Sequence, residues 1–175
     1  IEIFRGTPMI VQSMVIFYGS AQAFNISLDR TWAAIFIVSI NTGAYMSEIV
    51  RGGILAVDPG QFEAATALGM THGQTMRKVV LPQVVRNILP ATGNEFVINI
   101  KDTSVLNVIS VVELYFTGNT VATQNYQYFP TFTIIAVIYF VLTFTITRIL
   151  RYIERRLDSD TYTTGANQMQ VNEVK

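Results

Sequence analysis

Residues 130–150 read PTFTIIAVIYFVLTFTITRIL, an unbroken apolar run with no charge before Arg148. A helix that crosses a bilayer needs about 20 mostly apolar residues. Inside the bilayer each backbone N–H and C=O must find its partner within the protein, which leaves helices and closed barrels as spanning structures. Three further segments fit the helical alternative. Residues 7–24 (TPMIVQSMVIFYGSAQAF) are slightly short and carry only neutral polar groups. Residues 31–50 (TWAAIFIVSINTGAYMSEIV) are charged only near their end, at Glu48. Residues 88–112 set Asn94, Glu95, Asn99, Lys101 and Asp102 among ILP, FVI and VLNVISVV, so a hydropathy window undervalues them; the alternation of sides requires a span there. The chain is predicted to be an all-α integral membrane protein with four spans in one domain, residues 1–157.

Composition agrees. Half of the 175 residues are hydrophobic, 14% are charged and the mean hydropathy is +0.38, where soluble domains carry about 25% charged residues. Zero net charge argues against a general polyanion binder, so no nucleic acid partner is expected. The absence of cysteine excludes disulfides and thiolate metal sites, and a single histidine, His72, makes a histidine-built metal site improbable. The chain starts with Ile1 almost at its first span. It is read as a fragment lacking its natural start, on which no signal peptide can be judged.

Lysines and arginines orient the spans. Arg51, Arg77, Lys78 and Arg86 share one inter-span segment, and Arg148, Arg151, Arg155 and Arg156 close or follow the last span. None occurs from Asp102 through Thr147. Arg5, residues 51–86 and Arg148 onward are therefore assigned to the cytoplasm, with both ends of the chain; residues 25–30 and 113–129 lie outside. Only Arg30 breaks the bias. Trp32, Tyr126, Tyr128 and Phe129 lie near the outer boundary as an aromatic belt, and the basic run Arg148–Arg156 reads as an anchor against membrane lipid. Residues 158–175 lack apolar periodicity and are expected to form a disordered cytoplasmic tail.

Between the second span and the charged one lies a polar insert, residues 58–82. Asp58 suits a helix cap, Pro59 the first helical position and Gln61 a capping-box partner. Gly69 suits a left-handed helix end. Thr71-His72-Gly73-Gln74 repeats the capping pattern, and a second helix is expected to run until Pro82. Ala64, Ala65 and Ala67 permit close approach by a partner, and Glu63 offers one fixed charge near a helix N-terminus. An ordinary well-capped interfacial loop would read the same way from physics alone.

The spacing Glu63-Ala64-Ala65, Gly69, Val79, Leu81-Pro82 resembles the EAA loop of bacterial ABC importer permeases, with Val79 standing where the pattern has Ile. FRGTP at 4–8, GAYMSEIVRGGI at 43–54, GQFEAATALG at 60–69 and GNEFVINIKDTSVLNVI at 93–109 are similar to the polar amino acid branch of that family. The likeness covers residues 1 to about 157. It implies a type I, MetI-like helical bundle of five spans, of which four are present. It also implies a second permease subunit, like or unlike, ATPase subunits below, and an extracytoplasmic amino acid-binding protein above. Glu63, Ala64, Ala65, Gly69, Leu81 and Pro82 would then couple the membrane part to the ATPase. No cofactor is expected on this chain, since ATP would be bound by the partner; no G-x-x-x-x-G-K-[ST] loop occurs in it. The expected location is the bacterial cytoplasmic membrane. Importers for glutamine, glutamate, aspartate, arginine, histidine and cystine share these motifs.

Ionisable groups at mid-membrane cost about 2.5–3.5 kcal/mol each on insertion scales, so they face protein or water. Glu95 and Lys101 lie six residues apart, about 240° around an ideal helix, and do not pair along it. Asn94, Ile98 and Lys101 share one stripe; Glu95, Asn99 and Asp102 share the next. With Thr103 and Ser104, where Lys101–Ser104 also suggests a break in the helix, these are the candidate pathway residues for a zwitterion. Ties within a permease dimer, or solvation at a membrane face, are the competing readings. Glu48 and Arg51 read as an interfacial pair, and Gly43, Gly52 and Gly53 as points of close helix approach or bending.

Three function classes are compatible with these residues. The first is a transport subunit whose energy comes from another chain's ATP hydrolysis. The second is an ion-coupled secondary amino acid transporter using Glu95, Lys101 and Asp102, although neither internal repeats nor further spans are visible. An intramembrane enzyme is remote, because no nucleophile–base set or metal set occurs; no catalytic residue is assigned.

Overall fold

Asp29 opens the longest uninterrupted apolar helix of the N-terminal half. Its Oδ1 accepts from the Thr31 and Trp32 amides at 2.9 and 3.1 Å, the arrangement that satisfies orphan N–H groups at a helix start. The computed structural model describes the backbone of residues 1–173 and side chains through Arg156. Its elements are helices α1 (Glu2–Gly6), α2 (Met9–Phe24), α3 (Arg30–Leu55), α4 (Pro59–Ala67) and α5 (His72–Thr75), a π-helical turn (Met76–Val80), α6 (Leu81–Asp102), a 3₁₀ segment (Thr103–Ile109), α7 (Leu114–Asn125) and α8 (Tyr128–Glu173). The tail expected to be disordered, 158–175, lies outside the described side chains.

Among the described residues, Arg30–Leu55 and Tyr128–Arg156 are each long and apolar enough to cross a membrane. His72–Ile109 and Leu114–Asn125 pass the same test together, bent by 55° at a short break. Helix α2, with 16 residues, spans about 24 Å at 1.5 Å per residue, short of a hydrocarbon core about 30 Å thick. Only 6% of the most apolar window of α8 is buried, so that helix is built to be covered by lipid or another chain.

The fourth span and the segment after it depart from the sequence reading. The expected helix over 88–112 gives up α-geometry after Asp102, tightens to 3₁₀ and stops at Ser110, which is left-handed (φ 61°). The Ser110 and Val111 amides turn back to the Asn107 and Leu106 carbonyls and close that end. Residues 114–125, read as part of an outer loop, form helix α7. Its cap is Glu113, whose carboxylate accepts from the Tyr115 and Phe116 amides at 2.8 and 2.5 Å. Glutamate is not among the preferred capping residues, so no start signal stood out there.

Contacts group the chain into two units. One comprises residues 1–47 and 95–145. Its core packs Ala33, Ala34 and Ile37 of α3 against Leu106 and Ile109 of the 3₁₀ segment, with Met9, Ile16 and Phe17 of α2 alongside. Two alanines on one helical face let the tightened segment approach α3 closely. The Tyr18 hydroxyl donates to the Val108 carbonyl at 3.2 Å.

The second unit comprises residues 48–94 and those from 146 onward. Its core is Val57, Val80 and Val84, with Ile54, Phe62, Met76 and Ile88 around them. Gly53 is buried where a Cβ would collide with Ile88 and press on Val84, whereas Gly43 and Gly52 have open space at that position. Close packing thus depends on Gly53 alone of the three. Arg51 and Glu48 form the ion pair read from their spacing, 2.6 Å.

Candidate functional site

The polar insert, in the second unit, folds as a small helical elbow. Asp58 Oδ1 accepts from the Gly60 amide at 2.7 Å, and Pro59 takes the first helical position. Gln61 closes no capping box; its Oε1 accepts from Gln83 Nε2 at 3.4 Å, joining α4 to α6. At the far end Gly69 is left-handed (φ 73°). Its amide donates to the Thr66 carbonyl and the Met70 amide to the Ala65 carbonyl, a Schellman end. Thr71 and Gln74 make both halves of a capping box, 2.9 and 3.4 Å. The bend is therefore closed by hydrogen bonds on each side of Gly69.

Within α4 the sides differ sharply. Phe62 packs toward the valine core and Ala65 is buried, while Glu63, Ala64, Ala67, Leu68 and Gly69 are exposed. Leu68 is 80% exposed, a large apolar side chain held out at the apex. Ala65, grouped by sequence with the contact residues, is the buried one among them, and its small side chain lets the elbow fold onto its own core. Leu81 and Pro82 are exposed at the start of α6. The expected stop at Pro82 does not occur. A proline in a helix's first turn removes an N–H that has no partner there, so the chain passes through the π-turn into α6. Gln83 Nε2 donates to the Val79 carbonyl at 2.9 Å and takes up an acceptor at the irregular turn.

The second arrangement lies in the first unit. A cavity of about 440 Å³ is lined by Arg5, Thr7, Asn41, Tyr45, Glu95 and Asp102, with Met9 and Ile98 as apolar wall. That is within the size range of small-molecule sites, roughly 300–1,000 Å³. The Arg5 guanidinium lies 5.7 Å from the Tyr45 ring centroid, in cation–π range. Helix α2 begins at this wall with Pro8 in the cap position and no side-chain cap. The turn before it is held by Gln12, only 7% exposed. Its Nε2 lies 2.7 Å from the Phe4 carbonyl and 2.8 Å from that of Thr7, and Asn41 Nδ2 donates to its Oε1 at 3.3 Å.

The pathway candidates divide accordingly. Glu95 and Asp102 line the cavity from one face of α6. Asn99 accepts from the Thr42 hydroxyl at 3.1 Å and ties α6 to α3. The Thr103 hydroxyl donates to the Ile100 carbonyl, and the Ser104 carbonyl accepts from Asn107, so both serve the change from α to 3₁₀. Asn94 and Lys101 are exposed and outside the lining. Arg5, read as a topology anchor, and Gln12, Asn41 and Tyr45 were missed. The available signal was a pair of amides inside otherwise apolar spans, since polar groups placed in a membrane segment are functional by default.

A family model described as the binding-protein-dependent transport system inner membrane component matches residues 1–159. The glutamine transport system permease protein GlnP of Escherichia coli (strain K12) is 41% identical over 158 residues, covering 90% of this chain and 72% of that protein. The arginine transport system permease protein ArtQ of Bacillus subtilis (strain 168) is 38% identical over 159 residues, 91% of this chain and 73% of its own length. The fold is similar to that in a crystal structure of an amino acid ABC transporter with histidines. That comparison gives a TM-score of 0.83 at 44% identity and covers 89% of this chain and 72% of the other.

Proposed function

This chain belongs to the inner membrane components of binding-protein-dependent transport systems, as a permease subunit of an amino acid ABC importer, and we propose that its cargo is a polar amino acid of the glutamine kind. GlnP and ArtQ, at similar identity, are named for glutamine and arginine, and both side chains end in nitrogen donors. The cavity beside Arg5, Glu95 and Asp102 is the transit site in this reading. The amino acid carboxylate turns toward Arg5 and the uncapped start of α2, where a helix dipole favours negative charge, and the ammonium toward a carboxylate of α6.

The observation that carries the coupling role is the elbow. An exposed Leu68 projects beside Glu63, Ala64 and Gly69 from a bend that is capped on both sides. A stiff projection passes on displacement that a floppy loop would absorb. ATP-hydrolysing subunits grip it from the cytoplasm, and the nucleotide stays on them. A second permease subunit completes the path, and an extracytoplasmic binding protein delivers the amino acid. Nucleotide and cargo then bias one two-state equilibrium, from inward- to outward-facing.

The test is uptake of labelled glutamine by cells carrying the complete transporter. Uptake should stop on ATP depletion and persist when the ion gradients are dissipated. Leu68→Asp should abolish uptake while leaving the protein in the membrane. Uptake that follows the ion gradient and ignores ATP would favour a secondary transporter using Glu95 and Asp102, and would end the present reading.

A further inference from the structure

Helix α8 turns from apolar to basic at Arg148, and there its packed and open sides can be told apart. Gly93 of α6 sits against it: a Cβ on that glycine would lie 3.5 Å from Leu150 Cδ1 and 3.4 Å from Glu154 Oε1. Leu150 and Glu154 are four residues apart, so one stripe of α8 faces α6. Arg151 and Arg155 each follow a member of that stripe by one residue, about 100° around the helix, and both are exposed. Glu154 adjoins both in sequence, yet among the described residues neither arginine is held in an ion pair. Arg148 and Arg156 already have partners, the latter 5.1 Å from the Tyr152 ring centroid, and do not enter the count. Tyr152, between the two arginines in sequence, is 58% exposed.

Like charges four residues apart on a helix repel each other, and an anion set between them removes that repulsion. Depth names the anion. Residues 130–147 rise about 27 Å, close to a hydrocarbon core about 30 Å thick. Arg151 lies about 6 Å beyond Thr147 along the helix and Arg155 about 12 Å. The headgroup layer is about 5–7 Å deep, and long arginine stems reach back into it. A tyrosine with an open ring suits the same boundary, apolar at one end and wet at the other. The inner leaflet is the negatively charged one. Resting on the reading of this chain as a permease whose residues from Arg148 onward face the cytoplasm, we infer that Arg151 and Arg155 bind the phosphate of an anionic phospholipid of the inner leaflet, beside Tyr152. A cation near such a surface is worth about fivefold in affinity, so the pair is worth about 30-fold.

The experiment is native mass spectrometry of the purified complete transporter, stripped of lipid and titrated with phosphatidylglycerol or phosphatidylcholine. The wild type should bind phosphatidylglycerol more tightly. Arg151→Gln with Arg155→Gln should weaken phosphatidylglycerol about 30-fold and leave phosphatidylcholine unchanged. Lysine at both positions restores the charge and should restore most of the binding. Arg30→Gln, at an exposed cation assigned to the other side of the membrane, should change nothing. A wild type that does not distinguish the two lipids overturns the inference. So does a double glutamine variant that keeps its phosphatidylglycerol, which reduces the basic run to a topology signal. Displacement of the lipid by inorganic phosphate, or loss of the ATPase subunits from the variant, overturns it as well, since the arginines then serve a free anion or a protein partner. Uptake of labelled glutamine by the same protein in mixed-lipid vesicles keeps the two readings apart. ATP-driven uptake with indifferent lipid binding overturns the lipid site alone; selective lipid binding without ATP-driven uptake overturns the transporter reading and leaves the lipid site standing.

Discussion

Asn41 Nδ2 donates to Gln12 Oε1 at 3.3 Å, joining two side chains that are nine-tenths buried on different helices. Through Gln12 the bond reaches the Phe4–Thr7 turn, and through Asn41 it reaches the cavity. Gln12→Met keeps the volume and leaves two carbonyls without their donor. A buried group stripped of its partner costs about 1–3 kcal/mol. Gln12→Glu is expected to be at least as damaging, because a carboxylate then faces those carbonyls. Thermal unfolding of the purified protein measures the loss. Apparent affinity for the transported amino acid should weaken in parallel; an unchanged affinity in a destabilised variant would detach Gln12 from the cavity.

Gly53 and Gly52 are neighbours that should respond in opposite ways. Gly53→Val drives side-chain atoms into Ile88 and Val84, and overpacking of this kind costs about 1–3 kcal/mol. Gly52 has open space, so Gly52→Ala should be neutral or raise stability by up to about 1 kcal/mol through helix propensity. Comparing melting temperatures of the two variants checks this.

Gly69 has no atom within 4 Å of the position a Cβ would take, so the cost of Gly69→Ala lies in its backbone alone. A left-handed residue with a Cβ costs about 1–2 kcal/mol, less for Asn. Gly69→Asn should therefore retain more uptake and ATP coupling than Gly69→Ala. Equal loss in both, with normal melting temperatures, would point to contact with a partner at the Cα instead.

Glu113 caps α7 and also accepts from the Tyr139 hydroxyl of α8 at 3.1 Å. Glu113→Ala should cost about 0.5–2 kcal/mol and Tyr139→Phe about 0.5–1.5 kcal/mol. Both remove the same bond, so the double variant should lose less than the two single losses added, by at least about 0.5 kcal/mol. Strict additivity in unfolding measurements would show that the two side chains act separately.

Much of the elbow was legible in the sequence. Caps are short-range, and Asp58, Thr71, Gln74 and Gly69 each act within a few residues along the chain. That Ala65 lies on the inner side was not legible, because the inner and outer sides of a short helix depend on which core it meets, here Val57, Val80 and Val84. Helix α7 was missed because its cap is an atypical residue. The tightening after Asp102 was suspected from the run Lys101–Ser104, yet its end at Ser110 depends on packing against α2 and α3.

Taken alone, the amino-acid order determined that this is a helical membrane chain, where its punctuation falls and which polar groups sit in costly places, because hydropathy and capping act over a few neighbouring residues. Which of those polar groups meet is set by the packing of the folded chain. Arg5, Asn41 and Tyr45 join Glu95 and Asp102 around one cavity although they lie far apart in sequence. Asn99, beside them in the chain, is turned away to Thr42. Helical stripes tell which residues of one helix share a face; which face of which helix it confronts is a matter of packing between distant segments.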